Sequence, residues 1–189
     1  FLSKDIITEF RGRGDEMYLR PLSFKEFRTT QPDKPFEEVW TEYMTFGGLP
    51  YCALLPTREE KADYLKRLFD EVFLRDIIER NKVQNDAQLE SLLNVISSAV
   101  GSLTNPKKLE DTFTSSGAGK LSAFTIKQYL DYLCDAFMIE QAERYDIKGK
   151  RYISTPYKYY LTDTGLRNAQ LNFRQLEETR LMENVMYKL

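Results

Sequence analysis

Between Arg144 and Lys158 the chain carries Arg144, Lys148, Lys150, Arg151 and Lys158, and only Asp146 opposes them. Tyr145, Tyr152, Tyr157, Tyr159 and Tyr160 are interleaved. Cations on a hairpin with aromatics among them suit contacts to phosphate oxygens, the chemistry of nucleic-acid backbone binding. The helix-like run just before them offers Thr125, Lys127, Gln128 and Tyr132 as groups able to reach base edges. Asp131 and Asp135 on the same run count against a helix seated in a major groove. A second reading stands beside the first: the tyrosines pack the hairpin onto the helices and the charges are solvated. Upstream, Arg11 and Arg13 flank Gly12 on a loosened turn, either solvated or in contact with an anion.

Other chemistries fall away. The chain has no histidine, which removes Ser/His/Asp and Cys/His triads and most zinc sites. Gly117-Ala118-Gly119-Lys120 looks like the end of a phosphate-binding loop, but that loop needs a Gly where Thr114 stands and a Ser or Thr where Leu121 stands. Without the hydroxyl that would hold Mg²⁺, the run reads as a flexible linker.

The elements that must position these groups follow from apolar spacing. Ile126, Tyr129, Leu130, Leu133 and Phe137 mark a helix near 122–136 with one buried stripe. Helices near 88–101 and 106–114 stand before it, the latter with Asn105 as its cap and Pro106 at its first position. Met138 to Tyr145 reads as a strand, Arg151 to Ser154 as its return, and Tyr159 to Thr162 as a third strand. Three helices running into a basic hairpin is the order of a helix-turn-helix with a β-wing. Further upstream, Phe36 to Phe46 reads as a helix ended by Gly47-Gly48, with Trp40 on its core face, and Leu49-Pro50 leads into a loop. Thr57 caps a long helix from about Arg58 to Arg80. Ser23 and Glu26 form a capping box, Met17 to Leu22 a short strand and Leu2 to Phe10 a short helix. Asp163 to Asn168 turns the chain into a last region closed by a helix from Glu177 to Leu189. The expected fold is mainly α with a small β component.

The 189 residues are 42% hydrophobic and 30% charged, which fits a globular, soluble chain with a sizeable core. No apolar run approaches the roughly 20 residues of a membrane span, so no membrane partner is expected. A net charge of −2 excludes a uniformly basic nucleic-acid binder but leaves room for a local patch. Cys52 and Cys134 sit among apolar residues and read as buried thiols of a cytoplasmic protein. The start without Met and the end inside a helix-like run read as a fragment.

Several stretches resemble one family in the right order along nearly the whole chain. They are Pro21-Leu22-Ser23-Phe24, Gly47-Gly48-Leu49-Pro50, Arg144 to Lys150, Tyr157 to Asn168 and Met182-Glu183-Asn184. Together they resemble bacterial and archaeal ATP-binding proteins of the AAA superfamily that carry a C-terminal domain of unknown function. The resemblance implies a division into a remnant of the ATPase domain at 1–27, a helical linker or lid region at 28–84, a winged-helix domain at 85–163, and the start of a nuclease-like region at 164–189. It implies ATP and Mg²⁺ in the parent protein and no cofactor, metal or catalysis in this fragment, which lacks the Walker motifs. It makes Arg13 the arginine-finger candidate, with Arg11 as its neighbour. It places Glu183 at the start of the nuclease-like region, where a surface carboxylate is the simpler reading than a metal ligand. The expected partner is duplex DNA; the alternative is a protein-interaction or oligomerisation module that couples ATPase state to a partner.

Overall fold

Most helices start where a polar side chain can accept from their orphan amides. A computed structural model describes residues 17–116, 120–143, 156–176 and 178–188. Helix α1 (Phe24–Thr29) begins at Ser23 with the expected capping box to Glu26. Helix α2 (Phe36–Phe46) follows Pro35 and stops at Gly47, whose φ is 75°. Helix α3 (Pro50–Leu54) occupies a stretch expected to be loop, with Pro50 in its first turn. Helix α4 (Arg58–Arg67) starts with a capping box between Thr57 and Glu60. The run continues as a π-helical segment (Leu68–Leu74) and then α5 (Arg75–Asn81), so the long helix expected here carries a change of winding in its middle.

Helices α6 (Asp86–Ser98), α7 (Pro106–Ser116) and α8 (Ala123–Asp135) are capped by Asn85, Asn105 and Ser122. Strand β1 (Ile139–Ala142) pairs antiparallel with β2 (Lys158–Leu161), Ile139 facing Leu161 and Ala142 facing Lys158. On the other edge of β2, Thr104 bridges Tyr157 and the Gly101 amide donates to the Tyr159 carbonyl. Helix α9 (Thr164–Gln170), capped by Asp163, replaces the turn expected there, and α10 (Glu178–Lys188) closes the chain. Met17 to Leu22, expected as a strand, forms no regular element. Tyr18 instead sets its ring edge-on to Phe137, 5.0 Å away. The expected helix at 2–10 and the return strand at 151–154 lie outside the described residues. The architecture is thus mainly helical with one small antiparallel sheet.

One apolar core joins Phe46, Cys52, Leu65, Phe69 and Ile77 to residues of α6 to α8, the sheet, and Leu166 and Ala169 of α9. It holds residues on both sides of positions 84 and 163, the boundaries that the resemblance implied. A second cluster joins Phe27, Val39, Tyr43 and Met44 to Leu181 and Val185, so α10 packs back onto α1 and α2. Trp40 is half-buried beside it, edge-on to Phe24. Lys61, buried on α4, is neutralised by Glu42 of α2, which also receives Lys34 and Gln31.

Leu93 is fully buried in the main core, whereas Met182 on α10 faces water. Leu93→Ala should destabilise by about 2–5 kcal/mol through lost contacts and a residual cavity. Met182→Ser should stay within about 0.5 kcal/mol. Urea unfolding monitored by circular dichroism measures both.

Candidate functional site

Helix α8 buries Ile126, Tyr129, Leu130 and Leu133, which fixes what its opposite side presents. Phe124, Lys127, Gln128 and Asp131 are all exposed and fall at the i, i+3, i+4, i+7 positions of one outward stripe. Lys127 Nζ lies 2.7 Å from Asp131 Oδ2, so the stripe is nearly neutral. Of the other expected base readers, Thr125 is half-buried and engaged with the Ser122 hydroxyl, and Tyr132 packs partly into the core. Lys127 and Gln128 therefore share a face that Thr125 and Tyr132 only flank. Phe124, 72% exposed, escaped the sequence reading because that reading looked for hydrogen-bonding side chains. Arg13, Arg11, Arg144, Lys148, Lys150 and Arg151 lie outside the described residues.

Lys158, on β2, turns to α10. Its Nζ is 2.7 Å from Glu183 Oε1, which also accepts from the Tyr160 hydroxyl at 2.9 Å. The Lys158 hydrogen bond holds the Glu183 carboxyl below its ordinary range, and Glu183 in turn raises Lys158. Gly101 makes room for this carboxylate: a Cβ there would stand 2.7 Å from Glu183 Oε1. Glu183 is thus spent on a lysine and a tyrosine, and no cluster of metal-ligating side chains occurs among the described residues.

The stretches around Gly47, Asp163 and Asn184 meet in a buried polar clasp. The end of α2 presents the Met44 and Thr45 carbonyls without a backbone amide partner, while the Tyr43 carbonyl accepts from the Gly47 amide. Asn168 Nδ2 donates to the carbonyls of Met44 and Thr45, at 2.9 Å each, and the Thr164 hydroxyl donates to that of Tyr43. Asp163 accepts from the Gly48 amide at 2.7 Å through one oxygen and from the Leu166 amide through the other. The backbones approach so closely that side chains are excluded. A Cβ on Gly165 would stand 2.1 Å from the Phe46 carbonyl oxygen, and one on Gly48 2.2 Å from that of Leu22. Burial, aided by the Asp163 charge, pushes the Tyr43 hydroxyl up to about 12, and its proton goes to the Leu22 carbonyl.

The clasp extends both ways. Arg167, 1% exposed, donates from Nε to the Ser97 carbonyl and from Nη1 to Asn168 Oδ1 and the Gln175 carbonyl. Asn184 accepts from the Leu161 amide and donates to the Leu161 carbonyl. These polar groups are committed to backbone. Their arrangement binds the chain to itself, whereas the α8 stripe stays exposed.

Gly165→Ala should therefore cost at least about 3 kcal/mol, since backbone must move to admit the methyl group. A helix-interior glycine without such contacts would gain from the same change. The Glu183 carboxyl should titrate below an ordinary glutamate in an NMR pH series. Its contribution to stability is present above the unfolded value of roughly 4.3 and fades as pH falls through the lower folded value. Lys158→Met should return that titration toward the ordinary range.

No solved structure matches the chain. It is 33% identical over 190 residues to an uncharacterized protein of Haemophilus influenzae, covering 98% of this chain and 47% of that protein. It is 28% identical over 197 residues to an uncharacterized protein of Methanocaldococcus jannaschii, covering 98% and 44%. The chain spans about half the length of the curated relatives it matches. The family described as Domain of unknown function (DUF8612) matches residues 37–177, from α2 through the sheet and α9. On that match, the chain belongs to the DUF8612 family.

Proposed function

We propose that the chain is a winged-helix module of an AAA-type ATP-binding protein and that it binds duplex DNA. The order α6, Thr104 bridge, α7, α8, β1, β2 supports the winged-helix reading, with β2 lying between β1 and the 101–104 segment. The observation that carries the binding proposal is the outward stripe of α8, placed where a recognition helix would lie. Lys127 and Gln128 project from it, and the cations Arg144, Lys148, Lys150 and Arg151 follow in the chain. The ATP-binding parent rests on the motif resemblance, as does Arg13 as an arginine finger toward nucleotide held elsewhere. The chain itself has no phosphate-cradling loop and is not expected to hydrolyse ATP. Cys52 and Cys134 are not joined in a disulfide, which fits a cytoplasmic setting.

The second reading, a protein-coupling or self-association module, draws support from charge. Residues 86–161 contain nine Lys and Arg and nine Asp and Glu. Lys107, Lys127 and Lys158 are each paired with carboxylates. Long-range attraction to DNA then falls to Lys108, Lys120 and the 144–151 stretch.

Duplex-DNA binding by fluorescence anisotropy across a salt series separates the readings. If about four phosphates are neutralised, log K should fall against log salt with a slope of roughly −3 to −4. The Lys148→Ala/Lys150→Ala/Arg151→Ala variant should lose roughly 2–3 units of that slope. No binding at low salt would refute the DNA reading and leave the coupling module, checked by light scattering over a concentration series.

A further inference from the structure

Resting on the DNA-binding reading, we infer that Phe124 is the specificity-determining residue of α8 and that it contacts the 5-methyl group of a thymine. The feature is a juxtaposition. A large apolar ring, 72% exposed, stands in the first turn of α8 and shares its stripe with Gln128, one turn on. The core is satisfied without it, because Ile126, Tyr129, Leu130 and Leu133 cover the buried side.

Charge readout from this stripe is weak, since Lys127 is held by Asp131. That leaves an apolar group and a neutral amide as its readers. In the major groove thymine alone offers a methyl group, and apolar side chains such as Phe contact it. A glutamine amide matches the donor and acceptor pair of adenine. Four residues of helix rise about 6 Å, less than two base-pair steps of about 3.4 Å. Phe124 and Gln128 therefore reach base pairs no more than two steps apart. The recognised element is a thymine with an adenine on the strand facing α8, within that span.

The test starts with selection of preferred duplexes from a random pool by the whole chain. Each thymine in the preferred site is then replaced by uracil, which removes only the methyl group. Burying one methyl group is worth about fourfold in affinity. At one thymine position, wild type should lose about fourfold on replacement. Phe124→Ala should bind the thymine and uracil duplexes equally, with the wild-type salt slope and an unchanged melting temperature. Gln128→Ala should lose its preference at the neighbouring adenine while keeping the thymine effect.

Salt-steep binding that ignores the uracil replacement at every position would overturn the Phe124 assignment alone and leave the DNA reading standing. A uracil effect that persists in Phe124→Ala would overturn it as well. Absence of salt-dependent binding would overturn both, and would recast Phe124 as an anchor for a protein partner.

Discussion

Helix α2 ends inside the molecule, and its last carbonyls must find donors away from water. An unpaired buried carbonyl costs about as much as the whole net worth of a typical hydrogen bond, and often more. Asn168 supplies those donors from α9, Thr164 adds a second donor to the Tyr43 carbonyl that the Gly47 amide already meets, and Asp163 accepts the Gly48 amide that follows. The N-terminus of α9 meets the C-terminus of α2, so opposite partial charges face each other across the joint. Because α9 follows directly from β2, this joint fixes the sheet against the upstream helices. Arg167 and Asn184 carry the same constraint outward to α6 and from α10. The two apolar clusters are thereby held in one arrangement, although α9 and α10 contribute mainly to different ones.

Much of this was legible in the sequence. Periodicity located α2, α6, α7, α8 and α10, and the Ser23, Thr57 and Asn105 caps lie where short polar residues precede apolar runs. The misses have physical causes. Thr164–Gln170 carries glycine and asparagine, poor helix formers, and is helical because its side chains are needed at the end of α2. Met17 to Leu22 reads as a short strand but finds no ladder; it is held by the Tyr18 ring on Phe137 and by Arg20 beside Glu140. The change of winding at Leu68–Leu74 leaves the apolar spacing nearly intact, so periodicity alone could not show it.

The site was legible by half. Hydrogen-bonding residues on α8 were found, but which of them face outward depends on the core contacts of the helix. Thr125 is drawn to its own cap and Tyr132 to the core. Asp163, Arg167, Asn168, Glu183 and Asn184 are residue types that catalyse and bind elsewhere, yet here each is bound to another part of the same chain. A polar motif with glycines that exclude any Cβ is as much a sign of backbone crowding as of a ligand pocket.

The side chain of Asn184 has one more effect. By giving and taking a hydrogen bond at Leu161, it stands in for a residue of a neighbouring strand. Together with Thr104 and Gly101 it terminates one rim of the sheet, where unmet amides and carbonyls would otherwise template pairing with another chain. The closing helix thus protects against runaway strand addition, using a single amide where other proteins use a bulge, a proline or a charged residue.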